Sequence, residues 1–175
     1  MTRQEAIQTL YKSYQAYYNI HEMECSDSNL VARCDFFEQS QKYVMHKKAE
    51  LWSANCEEFI YLFSLSKLTV AEYEACMALA MEDGQKRMNI GPGHMYTYIT
   101  VVILCDVADY DAKKALKKSR FYKSFHFSLH GWLDYHAAAV ALTDESIVSN
   151  YAGKSTAKIL KKVLFHTKKK RRTNK

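Results

Sequence analysis

Proline occurs once and glycine five times in 175 residues. So sparse a supply leaves no flexible linker and no low-complexity segment, and the chain reads as one domain. No apolar run approaches the roughly 18 residues of a membrane span. The opening MTRQEAIQTLYKSY is too polar for a secretory signal. No repeat at solenoid periods is visible. The five cysteines, Cys25, Cys34, Cys56, Cys76 and Cys105, include no CxxC pair, so zinc ligation is not expected. Their odd number and apolar settings predict reduced, structural thiols. These absences together predict a cytoplasmic protein with no transmembrane segment, no metal and no cofactor.

The only proline, Pro92, lies between Gly91 and Gly93 and precedes a long run of Tyr, Thr, Val and Ile. Pro92 restricts its own φ, and the glycines permit turns that other residues resist. The segment from Met95 to Cys105 then reads as a buried central strand. Thr2 and Glu5 predict a capping box, followed by a helix with Ala6, Ile7, Leu10, Tyr11, Tyr14, Tyr17 and Tyr18 at helical spacing. Strands are expected at Leu30 to Glu38, Lys42 to Trp52 and Phe59 to Leu65, with turns at Gln39-Ser40-Gln41 and Glu57-Glu58. Thr69 and Glu72 mark a second helix start, and Gly84 a weak point near its end. Asp109 or Asp111 caps a third helix. Lys123 to His130 alternates as a strand, Trp132 to Leu142 continues as strand, and a last helix starts near Ser155. The order predicts an α+β domain over residues 1–166, with a largely antiparallel sheet, helices mainly on one face, and a disordered basic tail at 167–175.

Charge is unevenly placed. Residues 1–110 carry 9 Lys and Arg against 15 Asp and Glu; residues 111–175 carry 16 against 4. The stretch DAKKALKKSRFYKSFHF interleaves Lys113, Lys114, Lys117, Lys118, Arg120 and Lys123 with Phe121, Tyr122 and Phe125. Cations of this kind contact phosphates, and exposed rings stack on bases. The final KKKRRTNK adds positive charge suited to non-specific nucleic-acid contact. The competing reading is a solvated helix face.

Chemistry-bearing side chains are scattered. His126, Ser128, His130, Asp134 and His136 share parity and are types used in acid–base or nucleophilic catalysis. Residues four apart on a strand stand about 13 Å apart, so His126 and His130 cannot chelate one ion alone. His94 follows the Gly-Pro-Gly turn, where a rigid loop can present a functional group. Asp35, Glu38 and Glu50 resemble nuclease carboxylates, but the expected Asp/Glu-x-Lys is missing. GKST at 153–156 lacks the earlier glycine of a phosphate loop and reads as a helix start.

The segments GPGHMYTYIT, KKALKKSRFYKSFHFSLHGW and AGKSTAKILKKVL resemble a conserved-hypothetical family of small bacterial proteins. The resemblance implies a cytosolic bacterial protein and assigns no activity. Three readings stay open. The favoured one is a non-enzymatic binding protein that contacts nucleic acid through the basic helix and tail. The others are a hydrolytic or metal-assisted enzyme with a polar site near His94 or the His126–His136 strand, and a protein-interaction or self-associating module. Any small-molecule ligand is left unspecified.

Overall fold

The computed structural model describes residues 1–23, 29–43 and 50–166. Cys25 and the basic tail expected at 167–175 lie outside the described residues.

Local signals set the helices. Thr2 opens α1 (Arg3–Tyr14): its hydroxyl accepts the Glu5 N–H, and the Glu5 carboxylate accepts the Thr2 N–H. That reciprocal pair satisfies two orphan donors and completes the expected capping box. Thr69 receives the Glu72 N–H at the start of α2 (Val70–Arg87). Gly84, expected as a weak point, lies within an unbroken α2. It lets the helix approach the sheet, because a Cβ there would lie 2.6 Å from Ile99 Cδ1. Asp109 precedes α3 (Tyr110–Lys118), and Gly153 precedes α4 (Lys154–Lys161), which ends in a π-helical turn at Lys162–His166.

Among the described residues, seven strands form one sheet: β1 (Asn19–Glu22), β2 (Leu30–Tyr43), β3 (Glu50–Leu68), β4 (His94–Ala108), β5 (Tyr122–Ser124), β6 (Trp132–Ala141) and β7 (Ser146–Ser149). They lie in the order β1-β2-β3-β4-β6-β5, with β7 also beside β6. Four pairings are antiparallel; the two made by the central strand, β3–β4 and β4–β6, are parallel. The domain is therefore α+β with a largely antiparallel sheet, and Ile99, Val101 and Ile103 of β4 are inaccessible at its centre.

The helices do not gather on one face. α2 and α3 cover a core built on Phe59, Tyr61, Ile103 and Tyr135, while α1 and α4 cover a second on Ile60, Leu62, Leu104 and Val140. The reason is legible in β3, β4 and β6, which are apolar at consecutive positions and must be shielded on both sides. α2 and α3 connect successive parallel neighbours in one direction across the sheet, so crossovers of one hand place both on the same face. The terminal helices close the other.

Two further expectations are corrected. Gln39 to Gln41 is strand, and Glu57-Glu58 lies inside β3; of the strand expected at Lys42 to Trp52, the two ends belong to β2 and β3, and residues 44–49 lie outside the described residues. Lys123 to His130 is not a strand either. β5 stops at Ser124, and His126, Phe127 and Ser128 take left-handed φ values of 46°, 51° and 68° in the β5–β6 connection. The alternating pattern there records a turn in which Phe127 and Leu129 point to solvent while Phe125 packs against the core.

Candidate functional site

One wall of the sheet, the β3, β4 and β6 side facing α1 and α4, contains a cavity of about 460 Å³. Strand parity delivers Glu58 and Ile60 from β3, Tyr98 from β4 and His136 from β6 to this side. Phe36 comes from β2, Tyr14 from the end of α1, Tyr17 and Tyr18 from the turn that follows it rather than from the helix expected to include them, and Ser155, Thr156 and Ile159 from α4.

Glu58 is the anchor. Its Oε2 accepts the Tyr18 hydroxyl at 2.7 Å, and its Oε1 accepts the Thr100 hydroxyl at 2.8 Å. Burial and the adjacent Glu58 push the Tyr18 phenol well above its ordinary range, so it stays a donor. Tyr18 is flanked by Tyr14 and Phe36, with ring centroids 5.3 and 5.8 Å away. On the sheet, Tyr96 stacks on Tyr98 at 4.4 Å, and Tyr98 lies 4.4 Å from the His136 ring. Burial pushes the His136 imidazole below its ordinary value, against the opposing pull of Asp134 and Glu58. Its Nε2 is 3.7 Å from Asp134 Oδ2.

Asn150 fixes the start of α4 over this wall. It is 1% exposed. Its Oδ1 accepts the N–H groups of Ala137 and Gly153, and its Nδ2 donates to the carbonyls of Tyr135 and Ser119. A Cβ on Gly153 would stand 2.4 Å from the Ala137 carbonyl oxygen, so glycine is what lets the helix begin this close to β6. GKST therefore opens a helix, as expected, and two of its side chains line the cavity.

The candidate histidines do not converge. His136 and Asp134 lie on β6 beside the cavity. His126 and His130 lie in the β5–β6 turn, their rings 4.5 Å apart. His94 sits on the α2/α3 side, 4% exposed, in a closed chain of hydrogen bonds. Its Nδ1 meets the His130 carbonyl at 2.7 Å, its Nε2 meets Thr97 Oγ1 at 2.8 Å, and the Thr97 hydroxyl donates to Glu57 at 2.9 Å. A carbonyl only accepts, so Nδ1 carries a proton. Asp35, another carboxylate weighed above, is buried against Arg87, with His21 Nε2 at 3.4 Å. Among the described residues, no cluster of three or more His, Cys, Asp or Glu is placed to hold a metal ion.

The basic helix divides. Lys113 is tied to Asp144 and Ser146, and Phe121 packs against the core rather than offering a free face. Lys114, Lys117, Lys118, Arg120, Tyr122 and Lys123 are exposed. Arg120 lies 5.7 Å from the Tyr151 ring and Lys154 4.3 Å, so an exposed tyrosine sits between two cations.

Sequence reasoning missed Glu58, which reads as half of an acidic turn, and the cavity role of Tyr14, Tyr17 and Tyr18, which read as a helix stripe. The usable signal was the position of Glu58 two residues before Ile60 on an apolar run. A polar residue in phase with a buried face is a candidate for a site rather than a turn.

The family described as Domain of unknown function (DUF8052) matches residues 2–162, and the chain belongs to it. That agrees with the conserved-hypothetical family anticipated above. Comparison with curated proteins and with solved structures found no match.

Proposed function

We propose that this member of the family is a small-molecule-binding domain, with its ligand held between α1, α4 and the sheet. The observation that carries the reading is the convergence on one cavity of Tyr14 from α1, Tyr17 and Tyr18 from the turn after it, Tyr98, a doubly hydrogen-bonded Glu58 and a neutral His136. Binding sites combine an apolar, aromatic lining with a few placed polar groups, and about 460 Å³ falls within their usual range. The setting is cytosolic in this reading, supported by the free, buried thiols of Cys34, Cys56, Cys76 and Cys105. Binding is preferred to hydrolysis because the candidate histidines stand on different walls of the domain.

The test is a chemically diverse small-molecule library screened by thermal shift and ligand-observed NMR. Hits should raise the melting temperature and lose binding in Ile159→Trp. Ile159 is half exposed at the cavity lining, so the bulk fills the site without entering the core. An absence of hits, or hits indifferent to that substitution, would overturn the reading.

A second reading, nucleic-acid contact, is favoured by Tyr151 between Arg120 and Lys154, with Tyr122 exposed nearby in sequence to Arg120. Such a ring can stack on a base while the cations meet phosphate, worth about 1–3 kcal/mol per base. Fluorescence anisotropy with a single-stranded oligonucleotide should show salt-sensitive binding that Tyr151→Ala and Arg120→Glu weaken. Affinity no better than millimolar at low salt would remove it.

A further inference from the structure

We infer that the cavity takes an organic cation: an amine or quaternary ammonium group carried on an apolar body. The inference rests on the ligand-binding reading above and adds the chemical class. Among the described lining residues Glu58 is the one acid, and there is no Lys or Arg. His136 is held neutral by burial, so it contributes no opposing charge. Asp134, 3.7 Å behind His136, adds a second negative group to the same wall.

The aromatic faces are placed for the same task. Tyr14, Tyr18 and Phe36 form one cluster, Tyr17 stands exposed at its edge, and Tyr98 lies across the sheet surface. Aromatic faces attract cations through their quadrupoles, and sites for quaternary ammonium groups are built as cages of such rings. A neutral hydrocarbon filling this space would leave Glu58 desolvated with only two hydroxyls for company, and an anion would meet it unpaired. A cation converts that liability into an attraction. The hydroxyls of Ser155 and Thr156 on the α4 wall can hold a polar end of the same molecule.

The experiment is calorimetric titration of the full chain with four probes of one shape class: benzyltrimethylammonium, benzylamine, the neutral isostere neopentylbenzene, and benzoate. The two cations should bind at least tenfold more tightly than the neutral and anionic probes. Glu58→Gln should weaken the cations tenfold or more and leave neopentylbenzene within twofold. If Glu58→Gln fails to fold by circular dichroism, Tyr17→Ala replaces it, since Tyr17 is 74% exposed and its loss should still weaken benzyltrimethylammonium several-fold. Binding of benzoate or neopentylbenzene equal to or tighter than the cations, lost in Ile159→Trp, would overturn the cation assignment and keep the binding site. Failure of all four probes, with library hits that Ile159→Trp abolishes, would likewise sink the cation assignment alone. Failure of all four with no such hits would remove the binding reading itself.

Discussion

At the scale of single residues, the glycines divide by what their neighbours allow. Gly93 has φ 87° and Gly131 φ 70°, both in the region that side chains resist. A Cβ on Gly131 would also lie 2.2 Å from the Met95 carbonyl oxygen, whereas one on Gly91 would meet nothing within 4 Å. Gly131→Ala and Gly93→Val should each cost more than about 1–2 kcal/mol in denaturant unfolding, and Gly91→Ala should stay within about 0.5 kcal/mol. Equal effects at the three positions would contradict this account. His136 supplies a pH dependence. Its folded-state affinity for protons is lowered, so the unfolded chain binds the proton more readily. Stability from this group is full above the ordinary histidine value, about 6.5, and falls as pH drops toward the lower folded value. The melting temperature of the wild type should fall from pH 7 to pH 5 more steeply than that of His136→Gln. Parallel curves would show that His136 does not contribute.

At the scale of elements, the helix starts and the central strand were readable because their causes are local. Thr2 with Glu5, Thr69 with Glu72, and the apolar run after Pro92 each carry their signal within a few residues, and all three form as expected. The elements that were misread depend on distant partners. Glu57-Glu58 looks like a turn until Thr97 and Thr100 on β4 supply hydroxyls to one carboxylate on each face. Lys123 to His130 alternates like a strand, but pairing with β6 on this side stops at Ser124, and the rest folds over as a left-handed turn held by backbone hydrogen bonds such as Leu129 N–H to the His126 carbonyl. The cavity was illegible for the same reason: its walls come from α1, four strands and α4. Asn150 is the clearest example of an element fixed from outside, since it joins the start of α4 to β6 and to the end of α3. Asn150→Ala leaves two buried N–H groups without their acceptor, each costing about 1–3 kcal/mol. The expected result is a lowered melting temperature together with weakened binding in the cavity. Loss of stability with unchanged ligand affinity would show that α4 holds its position without this side chain.

At the scale of the whole molecule, two layers of helices enclose a sheet whose middle is parallel and whose margins are antiparallel. The margins are sequence neighbours: β1 with β2, β2 with β3, and β6 with β7 pair along hairpin-like paths. The centre is assembled from segments far apart in the chain, with Phe63 beside Ile103 and Ile103 beside Ala139. The time the chain takes to reach this arrangement follows from that geometry. The strands that bury most surface should be the ones whose ends are brought together last, because loop-closure entropy is lost before their contacts form. Stopped-flow refolding should therefore run in the millisecond-to-second range rather than microseconds. Ile103→Ala should speed unfolding and leave the folding limb of the chevron nearly unchanged, and a slowed folding limb would contradict late docking of β4. Until β4 is in place, β3 offers a long apolar edge to any other strand in solution. Refolding yield should accordingly fall as protein concentration rises, making the central strand both the last piece of the sheet and the guard against its misassembly.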